Sequence, residues 1–285
     1  MDYLFLFAGM ICFGWSNCLW RPLQERSTAL HIIYRRSLWT VPMIALAGIT
    51  LGAGLSPESL ILAILHIPYI LLSLAGLWCF VRSMHYQPSG ISGSLILYIG
   101  LFGSIVAWAF AGDQLPKHFF YTVVLYISGL VLISPGMLRF DTPWRGTLLA
   151  LLAALSWAFA NLGMKKGIEQ AGVWNLSLIQ EFTVLSLCGL ILFAKRKTTD
   201  NIETITPNPT TYASLLPLAL LTVGGIVFSN ASLGRIPVMH FALITMVQPV
   251  TTLFVSALIY KEQLSARQWA GGFLLIAGSV LCAIE

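Results

Sequence analysis

The chain has 285 residues, 57% of them hydrophobic and only 9% charged, with a net charge of +5. Soluble domains carry about 25% charged residues, so this composition belongs in a bilayer and excludes a pair of aqueous domains. The positive charge implies no nucleic-acid partner, because the basic residues gather at the ends of apolar runs, where they orient membrane proteins.

A helix crossing the hydrocarbon core needs about 20 apolar residues. Ten such runs follow one another, at 3–20, 31–50, 59–82, 90–111, 118–135, 147–164, 174–194, 213–232, 238–260 and 267–284. They are far longer than the roughly ten alternating residues of a barrel strand, so the expected fold is an all-α integral membrane protein with ten transmembrane helices. Met1-Asp2-Tyr3 lacks a basic region, and no small-residue cleavage site follows the first run, which is therefore read as a resident helix. Pro22, Ser56-Pro57, Gln87 to Gly90, Pro116, Pro135-Gly136, Pro143, Gly172, Pro207 to Pro209 and Pro237 fall between runs or in first turns. Pro42, Pro68, Pro217 and Pro249 lie inside runs, where each removes a backbone donor. They are either packing bends or, for Pro68, Pro217 and Pro249, hinges for gating.

At a shift of 149 residues the chain repeats its own punctuation. Pro68, Gly76, Ser83, Pro88, Gln114, Leu115 and Gly129 fall on Pro217, Gly225, Ser232, Pro237, Gln263, Leu264 and Gly278, and Asp113 meets Glu262. This predicts a duplication into two five-helix halves. An odd number of crossings per half makes the two copies point in opposite directions, the inverted repeat of secondary transporters.

Lys and Arg set orientation. With the start of the chain inside, the inner side holds Lys117, Lys165, Lys166 and Arg235. The outer side then holds Arg21, Arg26, Arg35, Arg36, Arg82, Arg139, Arg145, Lys195, Arg196, Lys197, Lys261 and Arg267. The count favours both ends of the chain outside.

No GxSxG, HExxH or Walker pattern is present, and Gly100-Leu101-Phe102-Gly103 lies in an apolar run with no flanking strand. The histidines are scattered singly, and the five cysteines sit in apolar runs as small core residues, so neither metal nor cofactor is implied. What remains is polar and aromatic residues inside apolar runs. Leu155 to Asn161 echoes Phe13 to Cys18, pairing Trp15 with Trp157 and Asn17 with Asn161. Hydrocarbon penalises an exposed carboxamide, so both Asn side chains face the bundle interior, as interhelical glue or as cavity lining. Trp15, Trp78 and Trp157 are cavity walls or interfacial anchors. Tyr34, Tyr98, Gln180, Asn230, His240, Thr245 and Gln248 complete the candidate lining.

Among ionisable residues, Arg36 opens the second run and Glu181 stands alone on the seventh. Desolvation favours the neutral form of a carboxylic acid, and a protonatable acid is what a proton-coupled carrier needs. Glu181 also lies only about two turns from the start of its run, a position compatible with a surface residue facing water. In an inverted repeat the starts of the second and seventh helices lie at opposite faces. Arg36 and Glu181 are therefore expected to stand apart, each at one mouth of a shared cavity.

The stretch from Val238 to Ala283 carries Gln248-Pro249, the turn Tyr260-Lys261-Glu262-Gln263-Leu264, Gln268, Gly271-Gly272 and Gly278. It resembles the terminal signature of the EamA type of the drug/metabolite transporter superfamily. A weaker copy runs from Ala111-Gly112-Asp113-Gln114-Leu115 through Gly129, departing at Gly100, where the repeat has Pro249. The resemblance implies two EamA-like five-helix repeats, at 1–137 and 146–285, around a cavity that opens alternately to each side. It implies an inner-membrane secondary transporter and not an enzyme, exporting a small metabolite such as an amino acid, with proton coupling one energy source. It also implies cytoplasmic termini, against the charge count. Alternatives are an uptake carrier for sugars or nucleotide-sugars, and a membrane-embedded lipid-modifying enzyme. Oligomeric state is not legible.

Overall fold

In lipid every backbone N–H and C=O must be satisfied within its own segment, which leaves helices as the natural form of long apolar runs. The computed structural model describes residues 1–24, 27–51, 55–86, 98–133, 144–198, 209–261 and 263–284. These residues are helical, with no strand among them. The breaks expected at Gln87 to Gly90, Pro135-Gly136, Pro143 and Pro207, and the acid Glu262, lie outside the described residues.

The first half of the chain forms α1 (Asp2–Gln24), α2 (Ala29–Thr50), α3 (Pro57–Ile64), α4 (Ile67–Tyr86), α5 (Tyr98–Val106) and α6 (Phe119–Ile133). A π-helical turn, Ala107–Ala111, extends α5. The second half forms α7 (Trp144–Ala171), α8 (Val173–Thr198), α9 (Pro209–Leu233), α10 (Val238–Ile244), α11 (Val247–Tyr260) and α12 (Ala266–Ala283). Seven spans among the described residues are long and apolar enough to cross a membrane, α10 and α11 counting together. The remaining expected crossings fall short on that measure: Tyr98–Ala111 and Phe119–Ile133 are shorter, and α2 carries Arg35 and Arg36.

Two of the apolar runs are interrupted. The third breaks between α3 and α4 at Leu65-His66, and the ninth between α10 and α11 at Thr245-Met246. In each case a proline, Pro68 or Pro249, occupies the first turn of the following helix, where its missing N–H costs least. The chain turns tightly there through i→i+3 bonds, from His66 N to Ala63 O and from Met246 N to Leu243 O. Pro217, the repeat partner of Pro68, instead sits inside uninterrupted α9. The matched prolines thus do not make matched breaks.

Packing alternates between the halves. α1 packs on α9 and α11, α4 on α7, α2 on α8, α6 on α12, and α5 on both α7 and α10. The α6–α12 seam is close: Gly129 and Gly271 meet backbone to backbone, and Gly278 meets the Tyr126 side chain. A methyl added at Gly129 would stand 2.8 Å from Leu275 Cγ, and one at Gly278 would stand 2.7 Å from Tyr126 Cε1. α5 meets α10 through Gly100 and Gly103, where a Cβ would strike Met246 and Ala242. A glycine is needed at position 100 for that approach, although the repeat carries Pro249. One core cluster includes Leu6, Leu176, Leu233, Met239 and Leu243, near the start of α1. A second gathers Trp20, Ile33, Phe80, Leu215 and Leu218.

Candidate functional site

Between these clusters lies a central cavity of about 1100 Å³, its mouth included. α1 presents Phe13, Asn17 and Trp20 to it, and α7 presents Trp157, Asn161 and Met164. Both triplets have the spacing i, i+4, i+7, which stacks side chains on one helical face. Trp15, two residues from Asn17, is turned about 200° away and is 47% exposed. The counterpart of Trp157 is therefore Phe13 and not Trp15. The Trp157 indole N–H donates to Ser73 O at 3.0 Å, tying α7 to α4.

The most polar part of the wall joins α2 to α8. Arg36 Nη2 donates to both carboxylate oxygens of Glu181, each at 2.9 Å. Ser37 Oγ and Thr40 Oγ1 donate to Glu181 Oε2 as well. Arg36 and Glu181 are 4% and 2% exposed, and the guanidinium carbon stands 6.0 Å from the centre of the Trp20 ring. Arg36 Nε is buried with no acceptor.

This pair corrects the expectation that Arg36 and Glu181 stand apart. The two helices run antiparallel: Tyr34 lies against Gly189, whereas Thr40, about 1.7 turns further on, meets Glu181. At 1.5 Å per residue Arg36 is about 10 Å along α2 and Glu181 about 12 Å along α8. In a core about 30 Å thick that leaves about 8 Å, within reach of an extended arginine and a glutamate together. Cα depth alone missed this reach.

The remaining polar lining knits further seams. Asn230 Nδ2 donates to Ser177 Oγ at 2.9 Å and to Gln180 Oε1 at 3.5 Å, linking α9 to α8. Asn17 Nδ2 donates to Thr252 Oγ1 at 3.3 Å, next to Gly14, where a Cβ would sit 2.7 Å from Gln248 O. Asn17, Arg36, Trp157, Asn161, Gln180, Glu181, Asn230, Thr245 and Gln248 thus share one cavity wall. Tyr34, Trp78, Tyr98 and His240 do not line it. Trp78 is 42% exposed, with the Arg82 guanidinium over its ring. His240 Nδ1 pairs with Tyr3 Oη at 2.8 Å. Near the start of α1, Arg235 Nη1 also pairs with Asp2 at 3.0 Å, and Lys165 Nζ donates to Ile236 O at 2.8 Å. Ser229, whose small-polar patch with Asn230 reads as cavity lining or close helix packing, lines the cavity, and Phe13, Ser16, Trp20, Ser73 and Thr222 line it as well and were missed. The i, i+4, i+7 spacing would have found Phe13 and Trp20; the small hydroxyls carry no such signal. Among the described residues no three His, Cys, Asp or Glu side chains converge as a metal site.

An all-helical, multi-pass membrane protein with a polar-lined central cavity has the form of a solute carrier. Residues 144–284 match the EamA-like transporter family. The match spans the second half of the chain, where the terminal signature led us to expect it. It is 29% identical over 268 residues to a "Probable amino-acid metabolite efflux pump" of Salmonella typhimurium, covering 87% of each chain. It is 28% identical over 267 residues to a protein of the same name in Escherichia coli, again covering 87% of each. In fold it is similar to a solved crystal structure, with a TM-score of 0.76 at 12% identity over 99% of this chain and 97% of that one.

Proposed function

We propose that the protein is a secondary active exporter of a small metabolite, an amino acid being the leading class. It would work by alternating access, in the inner membrane of a bacterium. The observation that carries this reading is that one cavity is walled jointly by both halves: α1, α2, α4 and α5 from the first, α7, α8, α9, α10 and α11 from the second. A cavity on such a seam changes its open side when the halves rock against each other. Ten crossings in two inverted repeats, the first over 1–137 and the second over 146–285, agree with the packing. Exchanging the halves converts the α4–α7 contact into α9–α1, and returns α2–α8 and α6–α12 to themselves. It likewise exchanges the Gly129–Leu275 contact with Gly278–Tyr126, partners that each lie 149 residues apart.

The export of amino acids rests on the names of the two bacterial relatives and on the walls. Apolar residues such as Leu77, Phe80, Trp157 and Phe241 accept a hydrophobic side group, and a few amides and charges orient the polar end. The lining asparagines, glutamines and tryptophan are assigned to substrate contact, and the helix breaks before Pro68 and Pro249 to gating. The test is radiolabelled amino-acid flux in proteoliposomes, with and without a pH gradient. Saturable flux supports the carrier, and its acceleration by the gradient supports proton coupling. Flux that equals empty liposomes across amino acids, sugars and nucleotide-sugars would overturn it.

A further inference from the structure

Among the described residues the lining of the cavity contains one cation and one anion, Arg36 and Glu181, bonded to each other. We infer that this pair is the recognition element for a zwitterion: Arg36 takes the substrate α-carboxylate, Glu181 takes its α-ammonium, and the two residues close on each other when the site is empty. The inference deepens the reading of the protein as an amino-acid exporter and rests on it.

Three observations converge. The first is charge balance. Charges taken out of water are stable only when paired. A solute with a net charge would leave one charge unmatched in a site where Arg36 and Glu181 already neutralise each other. A solute bearing one charge of each sign keeps the loaded and the empty cavity both neutral, whereas a phosphate-bearing solute would need convergent basic groups. The second is the orphan donor. Arg36 spends Nη2 on both oxygens of Glu181 while its Nε, also buried, has no acceptor. A carboxylate engaging the guanidinium in a bidentate manner supplies that missing acceptor. The third is position. Arg36 rides on α2 and Glu181 on α8, one from each half. A zwitterion inserted between them separates the two helices, and its departure lets them rejoin. The free charges are then never left bare during the return of the empty carrier.

The test uses the intact chain in proteoliposomes with radiolabelled leucine. The competitors are leucine, its decarboxylated analogue 3-methylbutylamine and its deaminated analogue 4-methylpentanoate. The expected result is strong competition by leucine, with either analogue weaker by about tenfold to a hundredfold, since each has lost one charge-assisted contact. The variant for comparison is the double replacement Arg36→Met with Glu181→Leu. Removing both members of a buried pair is often neutral for folding, whereas removing one strands the other. The double variant is expected to melt near wild type but to lose leucine flux by at least about tenfold. Competition by either analogue as strong as that of leucine, or full leucine flux in the double variant, would overturn the inference and leave the carrier standing. Absence of amino-acid flux in wild type, with flux of some other solute, would overturn the amino-acid reading and this inference with it.

Discussion

The α6–α12 seam offers a sharp test of how closely these helices must approach. An alanine Cβ at position 271 would stand 2.6 Å from Gly129 O, 2.8 Å from Ile133 Cγ1 and 3.0 Å from Ile133 N. Two of those three neighbours are backbone, so no side chain can swing aside. Ordinary contact begins near 3.4 Å, and α12 must therefore retreat by about 0.8 Å. Overpacking of this kind costs about 1–3 kcal/mol, which lowers the melting temperature by about 3–10 °C. Gly129→Ala meets the same crossing from the other side, 2.8 Å from Gly271 O. Once one alanine has pushed the helices apart the second costs less, so the double variant should fall short of the sum. Gly224→Ala is the control, because its Cβ would meet side chains alone, Cys12 Sγ at 3.2 Å and Phe228 Cε2 at 3.9 Å. Melting followed with a thiol-reactive dye in detergent reads the effect through the buried Cys18, Cys188 and Cys282. A Gly271→Ala protein melting within about 1 °C of wild type, or strictly additive losses, would refute the close approach.

Tyr126→Phe removes the hydroxyl that donates to Leu243 O at 2.7 Å and bonds Ser279 at 3.0 Å. The loss should be about 1 kcal/mol by the same melt, the net worth of one hydrogen bond, since Leu243 O keeps the N–H of Met246. Asp113→Ala removes the carboxylate that accepts from Met239 N at 2.9 Å at the start of α10. It should cost about 1 kcal/mol, and Asp113→Asn should restore most of it. Trp157→Ala should change which amino acids compete for flux, while Trp15→Ala, on the outer face of α1, leaves the competition profile at wild type. Asp2→Asn breaks only a solvent-exposed ion pair with Arg235, and the melt should move by less than about 1 kcal/mol equivalent.

Much of this protein is written in periodicity. Apolar runs longer than a barrel strand, punctuated by Pro and Gly, compel helices, because lipid leaves the backbone no other partner. The described helices follow the expected runs, and the terminal motif from Gln248 to Gly278 carried the family. The residues facing the cavity were legible only in part. Polarity within an apolar run picked out Asn17, Asn161, Gln180, Glu181, Asn230 and Gln248, because an amide or a charge has few tolerable places in lipid. The same criterion also selected Trp78 and His240, which satisfy themselves at the surface or against Tyr3.

Tertiary structure decided the rest. Whether an aromatic residue on α1 faces inward depends on 100° steps fixed by the contacts of that helix with α9 and α11, which is why Phe13 and not Trp15 reaches the cavity. Whether a proline breaks its helix depends on its neighbours: Pro68 and Pro249 follow interruptions, and α9 passes through Pro217. Above all, the meeting of Arg36 with Glu181 needed two antiparallel helices from different halves, 145 residues apart in the chain. Hydropathy records how deep a residue sits in its own run. It holds nothing about which distant helix crosses beside it, or how far a long side chain reaches once it does.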